Sequence, residues 1–307
     1  MSTGTNDYSI SSFYCFVPFA PAEIARVQMM LEDCAERLDI TGLIILAEEG
    51  LNGTVAGAAE GVAGFKELLQ DVAQGRDLTF KDNTSSEEPF RRFKVKVRPE
   101  IVTIGRDDIH VVPDDQHYLS PSEWHAALES GTVGALGPFA LIDTRNVYET
   151  KVGVFRDAVD PGLRNFQEFP QYVAQCGIKR NTPVLMYCTG GIRCEKAALE
   201  MQRQGYQHVY QLHGGILKYL EEYPDGYFEG ECFVFDHRVA VDGNLKASER
   251  YRLCPHCGDP GENAICCGNC SKSAVLCERC SVERAIDTCS KDCREQQRRK
   301  LAKSAAA

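Results

Sequence analysis

The stretch TPVLMYCTGGIRCEKAALEMQRQ, residues 182–204, decides the fold. Its first half is a short apolar run, residues 184–187, bounded by Pro183 and a glycine turn, which predicts a strand buried on both faces. Its second half places Ala197, Ala198, Leu199 and Met201 at helical spacing. Further out, PFALIDTRN (138–146) and HVYQL (208–212) predict two more buried strands. SPSE at residues 120–123 opens a helix with a proline in its first turn, and HGGILKYL at 213–220 starts another. Strands alternating with helices predict a parallel sheet covered on both faces, within residues 113–225.

Open parallel sheets keep their reactive groups just beyond the carboxyl ends of strands, where Cys188 stands. The loop Cys188-Thr189-Gly190-Gly191-Ile192-Arg193 can fold as a ring of backbone amides around the sulfur, its glycines relieving the cost of positive φ. The field of the following helix and the Arg193 guanidinium favour thiolate over thiol. Cys188 is therefore the expected nucleophile, set in an anion-binding cradle. A phosphatase needs Cys-x5-Arg. The spacing Cys188-x4-Arg193 is one residue shorter, and the smaller ring suits a persulfide sulfur better than a phosphoryl group. Asp143 and Arg145, at a neighbouring strand end, either orient Arg193 and the loop or form a strand-end salt bridge. Cys194 either resolves an oxidised Cys188 as a disulfide or is a buried spectator.

Residues 1–112 read differently. An aromatic and β-branched strand at residues 12–19 precedes a helix opened by Pro21, then the buried strand TGLIILAEE. Asn52-Gly53 is read as the turn to the next strand. A helix through Phe65, Leu68, Leu69 and Val72 follows, and a last strand with Phe93, Val95 and Val97 alternating against lysine and arginine. The order β-α-β-β-α-β is that of a ferredoxin-like α+β sandwich. Arg91, Arg92, Lys94, Lys96 and Arg98 put five positive charges in eight residues, either a solvated edge strand or a phosphate-contacting patch. The roles of Glu48 and Glu49 stay open.

Of 15 cysteines in 307 residues, nine fall between Cys254 and Cys293, so the thiols form a local metal module rather than a disulfide framework. Cys254-x2-Cys257, Cys267-x2-Cys270, Cys277-x2-Cys280 and Cys289-x3-Cys293 supply eight thiolates, enough for two structural zinc ions, paired consecutively or interleaved. Cys266 is left over or substitutes for Cys267, and His256 inside the first pair is an alternate ligand. The module, residues 251–307, ends in a basic extension with Arg298, Arg299 and Lys300, either a nucleic acid contact or a solvated helix end. Residues 226–250 read as a linker and packing segment, with a strand at residues 232–235 whose Phe233 and Phe235 pack inward. There, Asp236, His237 and Arg238 face either the cleft or solvent. No signal peptide and no apolar run of membrane-spanning length is found, so the expected compartment is the reducing cytoplasm, with no membrane partner. The net charge of −10 argues against non-specific coating of nucleic acid but not against a local basic surface.

YCTGGIRCEKA (187–197), with IDTRN and HGGI, resembles the active-site loop and flanking turns of rhodanese-type sulfurtransferases. Combined with AEEGLNGTVAG before it and FVFDHRV after it, it is similar to the rhodanese-domain tRNA uridine hydroxylases. The resemblance implies an α/β protein with a small N-terminal domain, a central rhodanese-like domain and a cysteine-rich tail. It also implies oxygen-dependent hydroxylation of wobble uridine 34 of tRNA to 5-hydroxyuridine, with Cys188 as the active-site cysteine. Molecular oxygen is then the co-substrate, and a redox partner is required, since no dinucleotide fingerprint or histidine–carboxylate metal triad is present. Two positions depart from the family pattern: Val154 stands where a histidine is often found, and Glu48-Glu49 where His-Glu is frequent. The alternatives are a sulfurtransferase carrying a persulfide on Cys188 and a zinc-stabilised RNA- or protein-binding adaptor without catalysis.

Overall fold

The computed structural model describes residues 7–76, 78–112 and 117–305. The N-terminal part runs β1 (Tyr8–Phe16), α1 (Pro21–Arg37), β2 (Thr41–Ala47), β3 (Gly50–Gly57), α2 (Ala59–Val72), β4 (Lys81–Ser85) and β5 (Phe93–Val97). α1 begins at a proline, whose missing N–H costs nothing in the first turn, and Glu23 accepts from the Ala20 N–H at 2.9 Å. Leu31 on α1 and Phe65 and Leu69 on α2 bury against Ile44, Leu46, Leu51 and Val55 of the sheet. The sheet order is β4-β1-β3-β2-β5, antiparallel except for the parallel β2–β5 edge.

Two expectations for this part are corrected. The expected fourth strand, Phe93–Val97, is a fifth one added beside β2; the strand that closes the ferredoxin-like order is Lys81–Ser85, on the opposite edge. Its KDNTS sequence has no apolar alternation, because β1 supplies the pairing and little of its surface needs covering. Nor is Asn52-Gly53 a turn. The hairpin turns at Glu48-Glu49, since Ala47 pairs with Gly50. Gly50 holds φ +148°, where a Cβ would stand 2.0 Å from the Cys15 carbonyl oxygen, so glycine is required there. Asn52 is free to donate its amide to the Ile101 carbonyl at 3.1 Å from within the strand.

The central part contains β6 (Tyr118–Leu119), α3 (Pro121–Ser130), β7 (Ala140–Asp143), α4 (Val147–Thr150), β8 (Gly153–Phe155), α5 (Phe169–Gln175), β9 (Val184–Tyr187), α6 (Ile192–Arg203), β10 (Val209–Leu212) and α7 (Gly215–Glu222). The strands β6-β10-β9-β7 form a wholly parallel sheet. β9 alternates between two cores: Val184, Met186 and Cys188 pack with Phe169, Ala197 and Met201 of α5 and α6. Leu185 and Tyr187 pack with Trp124, Ile216 and Tyr219 of α3 and α7. α3 starts in a reciprocal cap, Glu123 N–H to Ser120 Oγ and Ser120 N–H to Glu123 Oε2 at 2.8 Å. Of the break expected at residues 111–115, residues 113–115 lie outside the described residues.

Residues 226–250 add β11 (Phe228–Gly230), paired with β8, and β12 (Cys232–Phe233), paired with β13 (Ala240–Val241). The strand expected at 232–235 stops at Phe233. There the chain turns around a buried Asp236–Arg238 pair, leaving His237 exposed. Phe233 packs inward as expected, but Phe235 is 59% exposed. The tail holds β14 (Arg252–Leu253), β15 (Pro260–Gly261), β16 (Asn263–Cys266), β17 (Ser273–Leu276) and α8 (Lys291–Ala305). No helix among the described residues is long and apolar enough to cross a membrane.

Candidate active site

β9 delivers Cys188, fully buried, into a turn that the backbone holds open. Gly191 adopts φ +102°, and its N–H donates to Cys188 Sγ at 3.0 Å. α7 fixes the loop from the other side: Ile216 N–H donates to the Cys188 carbonyl at 3.0 Å and Leu217 N–H to that of Thr189 at 3.1 Å. That approach needs Gly215, where a Cβ would lie 2.6 Å from the Cys188 carbonyl oxygen. Burial alone would push the Cys188 thiol up. A hydrogen bond from Cys194, the Arg193 guanidinium and the Arg193 and Gly191 N–H groups outweigh it and bring the thiol down to about 5. Cys194 moves the opposite way, raised by burial and by its place beside Cys188, so it stays a thiol and donates.

Arg193 is clamped by Glu149, Nη1 to Oε1 at 2.6 Å and Nη2 to Oε2 at 2.7 Å. Glu149 is fully buried, which favours its neutral form, yet Arg193 keeps its pKa below the usual carboxylate value. It escaped the sequence reading. The one local signal, Asn146-x-x-Glu149, looks like a helix cap, and it is one: Asn146 N–H donates to Glu149 Oε1 at 3.2 Å. Of the two readings given for Asp143 and Arg145, orienting Arg193 and the loop or a strand-end salt bridge, their direct contacts are those of the salt bridge. They form their own fully buried pair, Arg145 Nη2 to Asp143 Oδ2 at 2.6 Å, and Arg145 also donates to the Gly153 carbonyl at 2.6 Å, tying the end of β7 to β8. Neither side chain hydrogen-bonds Cys188, Arg193 or the loop between them.

The N-terminal part closes over this loop. Tyr14 donates to Glu195 Oε1 at 2.8 Å and Tyr118 to Glu195 Oε2 at 2.9 Å. Lys196 donates to Glu49 at 2.8 Å and Glu100 at 2.6 Å, which gives Glu49 an interdomain clamp. Arg91, Arg92, Lys94 and Arg98 are exposed around β5 and Lys96 is half-buried; among the described residues none of the five joins an ion pair. Arg298 and Arg299 pair with Glu295 on α8, and Lys300 donates to Asn269 at 2.7 Å.

The tail cysteines form two groups, Cys254/Cys257/Cys277/Cys280 and Cys267/Cys270/Cys289/Cys293, with all four sulfurs of each within 4.8 Å. First and third pairs combine, as do second and fourth: the arrangement is interleaved. Sulfur separations of 3.3 to 3.7 Å are close to the ~3.8 Å that four sulfurs at ~2.3 Å from a tetrahedral metal would adopt. Each group could hold a metal ion. His256 belongs to neither group, and its Nε2 meets the Thr288 carbonyl at 2.6 Å. Cys266 is exposed at the end of β16 and belongs to neither group.

Removing the charge of Glu149 while keeping its shape (Glu149→Gln) would leave Arg193 buried without its counter-ion. The expected cost is about 3–5 kcal/mol in urea unfolding. Unchanged stability would remove Glu149 from this role.

A thiolate at the end of a parallel strand, ringed by amides and an arginine, defines a rhodanese-like domain, and a family model of that description matches residues 120–222. A UPF0176 acylphosphatase like domain matches residues 8–101 and a Rhodanase C-terminal segment residues 229–294. The tRNA uridine(34) hydroxylase of Bdellovibrio bacteriovorus is 46% identical over 298 residues, 96% of this chain and 83% of its own. That of Legionella pneumophila (strain Paris) is 44% identical, covering 78% of this chain and 92% of its own. That of Rhizobium leguminosarum bv. trifolii is 41% identical over 84% and 82%. The chain belongs to the tRNA uridine(34) hydroxylase family.

Proposed function

We propose that the chain hydroxylates uridine 34 of tRNA to 5-hydroxyuridine, with the Cys188 thiolate acting at the base. The observation that carries this reading is a preformed thiolate cradle in a chain 46% identical to a relative of that name across both domains and tail. Attack of the thiolate on C6 of the uracil would form a C–S bond and move an electron pair onto C5 and O4. Arg193 and the loop N–H groups suit the stabilisation of that charge. C5 then takes one oxygen atom from O₂ reduced to the peroxide level by a two-electron donor, the O–O bond breaks, and the other oxygen leaves as water. Loss of the C5 proton expels the sulfur and restores the ring. Uridine, O₂, two electrons and two protons thus give 5-hydroxyuridine and water. Cys194, a thiol hydrogen-bonded to Cys188, would close a disulfide with it should the sulfur be oxidised. Asp143 and Arg145 support the site by holding the end of β7.

Two zinc ions, held by the two sets of four cysteines, would fold the tail. The reaction is assigned to the cytoplasm, where tRNA and reduced thiols occur. Arg91, Arg92, Lys94, Lys96 and Arg98, with Arg298, Arg299 and Lys300, are assigned to tRNA phosphates. The double variant Lys94→Glu/Lys96→Glu should weaken tRNA binding roughly tenfold at moderate salt and flatten the dependence of log Kd on log salt by about one or two. A salt titration showing no change would remove β5 from the interface. The reading itself is tested by nucleoside mass spectrometry of tRNA from a deletion strain. Loss of 5-hydroxyuridine and its derivatives is expected; unchanged levels, or a Cys188 persulfide consumed without any change in tRNA, would overturn it.

A further inference from the structure

Lys81 lies on β4, paired with Ser12 of β1, and its side chain leaves the N-terminal domain to lie along the rhodanese-like loop. It is 8% exposed. Its Cδ and Cε lie 3.8 Å from where a Cβ on Gly190 would stand, and its Nζ is 5.0 Å from the centre of the Tyr14 ring. The Tyr14 hydroxyl in turn sits 3.0 Å from the Cβ position of Gly191, the residue whose N–H holds Cys188 Sγ. Among the described residues Lys81 has no ion pair and no side-chain hydrogen bond, unlike its loop neighbours Arg193 and Lys196, each of which is tied to carboxylates.

We propose that Lys81 is a positioning residue for the reaction at Cys188: its ammonium, carried across by the N-terminal domain, holds the sulfur as thiolate, so that the reactive form is complete only when the two domains are docked. This rests on the reading of Cys188 as the working thiolate and assigns the N-terminal domain a part in the chemistry besides binding RNA. An unpartnered buried ammonium is costly, and a nearby anion is what makes it tolerable. Burial brings Lys81 down to about 8, and Cys188 is the first of the groups that resist this, ahead of Glu195 and Glu221. The sulfur is faced by Arg193 and Cys194 of α6, Tyr14 of β1, Lys81 of β4, Glu195 of α6 and Cys232 of β12. Of these, Arg193 lowers the Cys188 pKa while paired with Glu149, and Lys81 adds a second cation that has no carboxylate partner among the described residues.

The test uses the full zinc-loaded chain. The rate at which iodoacetamide labels Cys188, read on its own peptide by mass spectrometry, is followed against pH in wild type, Lys81→Met, Lys81→Gln and Lys81→Arg. In wild type the thiolate is present above about pH 5 and is lost as the pH falls through that value. Lys81→Met and Lys81→Gln should raise the midpoint by about one unit or more, so labelling at pH 6 slows several-fold, and Lys81→Arg should restore most of it. Methionine keeps the stem packing and glutamine a polar tip, so a purely structural role would change unfolding temperatures and leave the midpoint alone. A midpoint unmoved in both neutral variants overturns the proposal. Single-turnover modification of tRNA separates this from the functional reading. A shifted midpoint in a protein that makes no 5-hydroxyuridine upholds Lys81 and sinks the hydroxylase assignment. An unshifted midpoint with normal 5-hydroxyuridine does the reverse.

Discussion

Cys188→Ser is expected to eliminate 5-hydroxyuridine from tRNA while leaving a folded protein. Serine preserves the shape of the loop and an acceptor for the Gly191 N–H, so the expected stability loss is only about 1–2 kcal/mol. Reactivity, in contrast, disappears. A hydroxyl is a nucleophile only when a neighbouring base removes its proton, and this cradle offers cations and amide donors instead. Of the buried carboxylates near the loop, Glu149 has both oxygens committed to Arg193, and Glu195 accepts from Tyr14 and Tyr118. The site lowers the pKa of a group that can ionise near neutrality, which a hydroxyl cannot. The same reasoning sets the pH dependence. The thiolate fraction is full above about pH 5 and falls below it, so the acid limb of single-turnover modification should follow the Cys188 pKa and vanish with the serine variant. Nucleoside mass spectrometry with urea unfolding as control checks both halves. Modification persisting in a folded Cys188→Ser protein would remove the thiol from the reaction and leave the domain a scaffold.

The cradle was legible in the sequence because its chemistry is local: strand, glycine turn, arginine and helix start are contiguous from Val184 to Arg193. What the sequence hid depends on chain segments meeting. Glu149 lies 44 positions from Arg193, and its local role as a cap masked its distant one. For Asp143 and Arg145, at the end of the neighbouring strand, the sequence left a loop-orienting role and a salt bridge open; two residues apart, they pair with each other. β4 carries no hydrophobic alternation, since an edge strand is held by backbone pairing; so Lys81 was passed over with it. Asn52-Gly53 has the composition of a hairpin turn, but the close contact of Gly50 with Cys15 puts the turn earlier. The cysteine spacings announced metal without saying which pairs combine, because partner choice lies in the path of the chain between knuckles.

That path decides what metal removal should do. Cys267 and Cys270 of one group lie on the segment joining Cys257 to Cys277 of the other, so each site closes a loop containing half of its neighbour. The apolar content of the tail's own core is small: Leu276 and Ile286, with Ile265 at its edge, around the cysteines themselves. Metal is therefore expected to supply most of the folding energy, on the order of 10–16 kcal/mol per structural zinc site at neutral pH. Two zinc ions per chain should be measured in the purified protein, and Cys277→Ser should lower occupancy of both sites, because opening one loop frees the segment that carries the other. Chelation should abolish amide-exchange protection in β16 and β17 while leaving β9 and α6 protected. The reason is a narrow link to the central domain: Tyr251 at the base of the tail packs with Val152 and Phe233, and beyond it the Lys151–Glu278 pair, at 3.3 Å, is exposed on both sides, where such pairs contribute about 0–1 kcal/mol. The labelling midpoint of Cys188 should accordingly be the same with and without metal, and any loss of modification on chelation should appear as a raised KM for tRNA at constant kcat. A chelated protein whose β16–β17 protection survives, or whose Cys188 midpoint moves with the metal, would show instead that the tail folds without zinc or is part of the cradle.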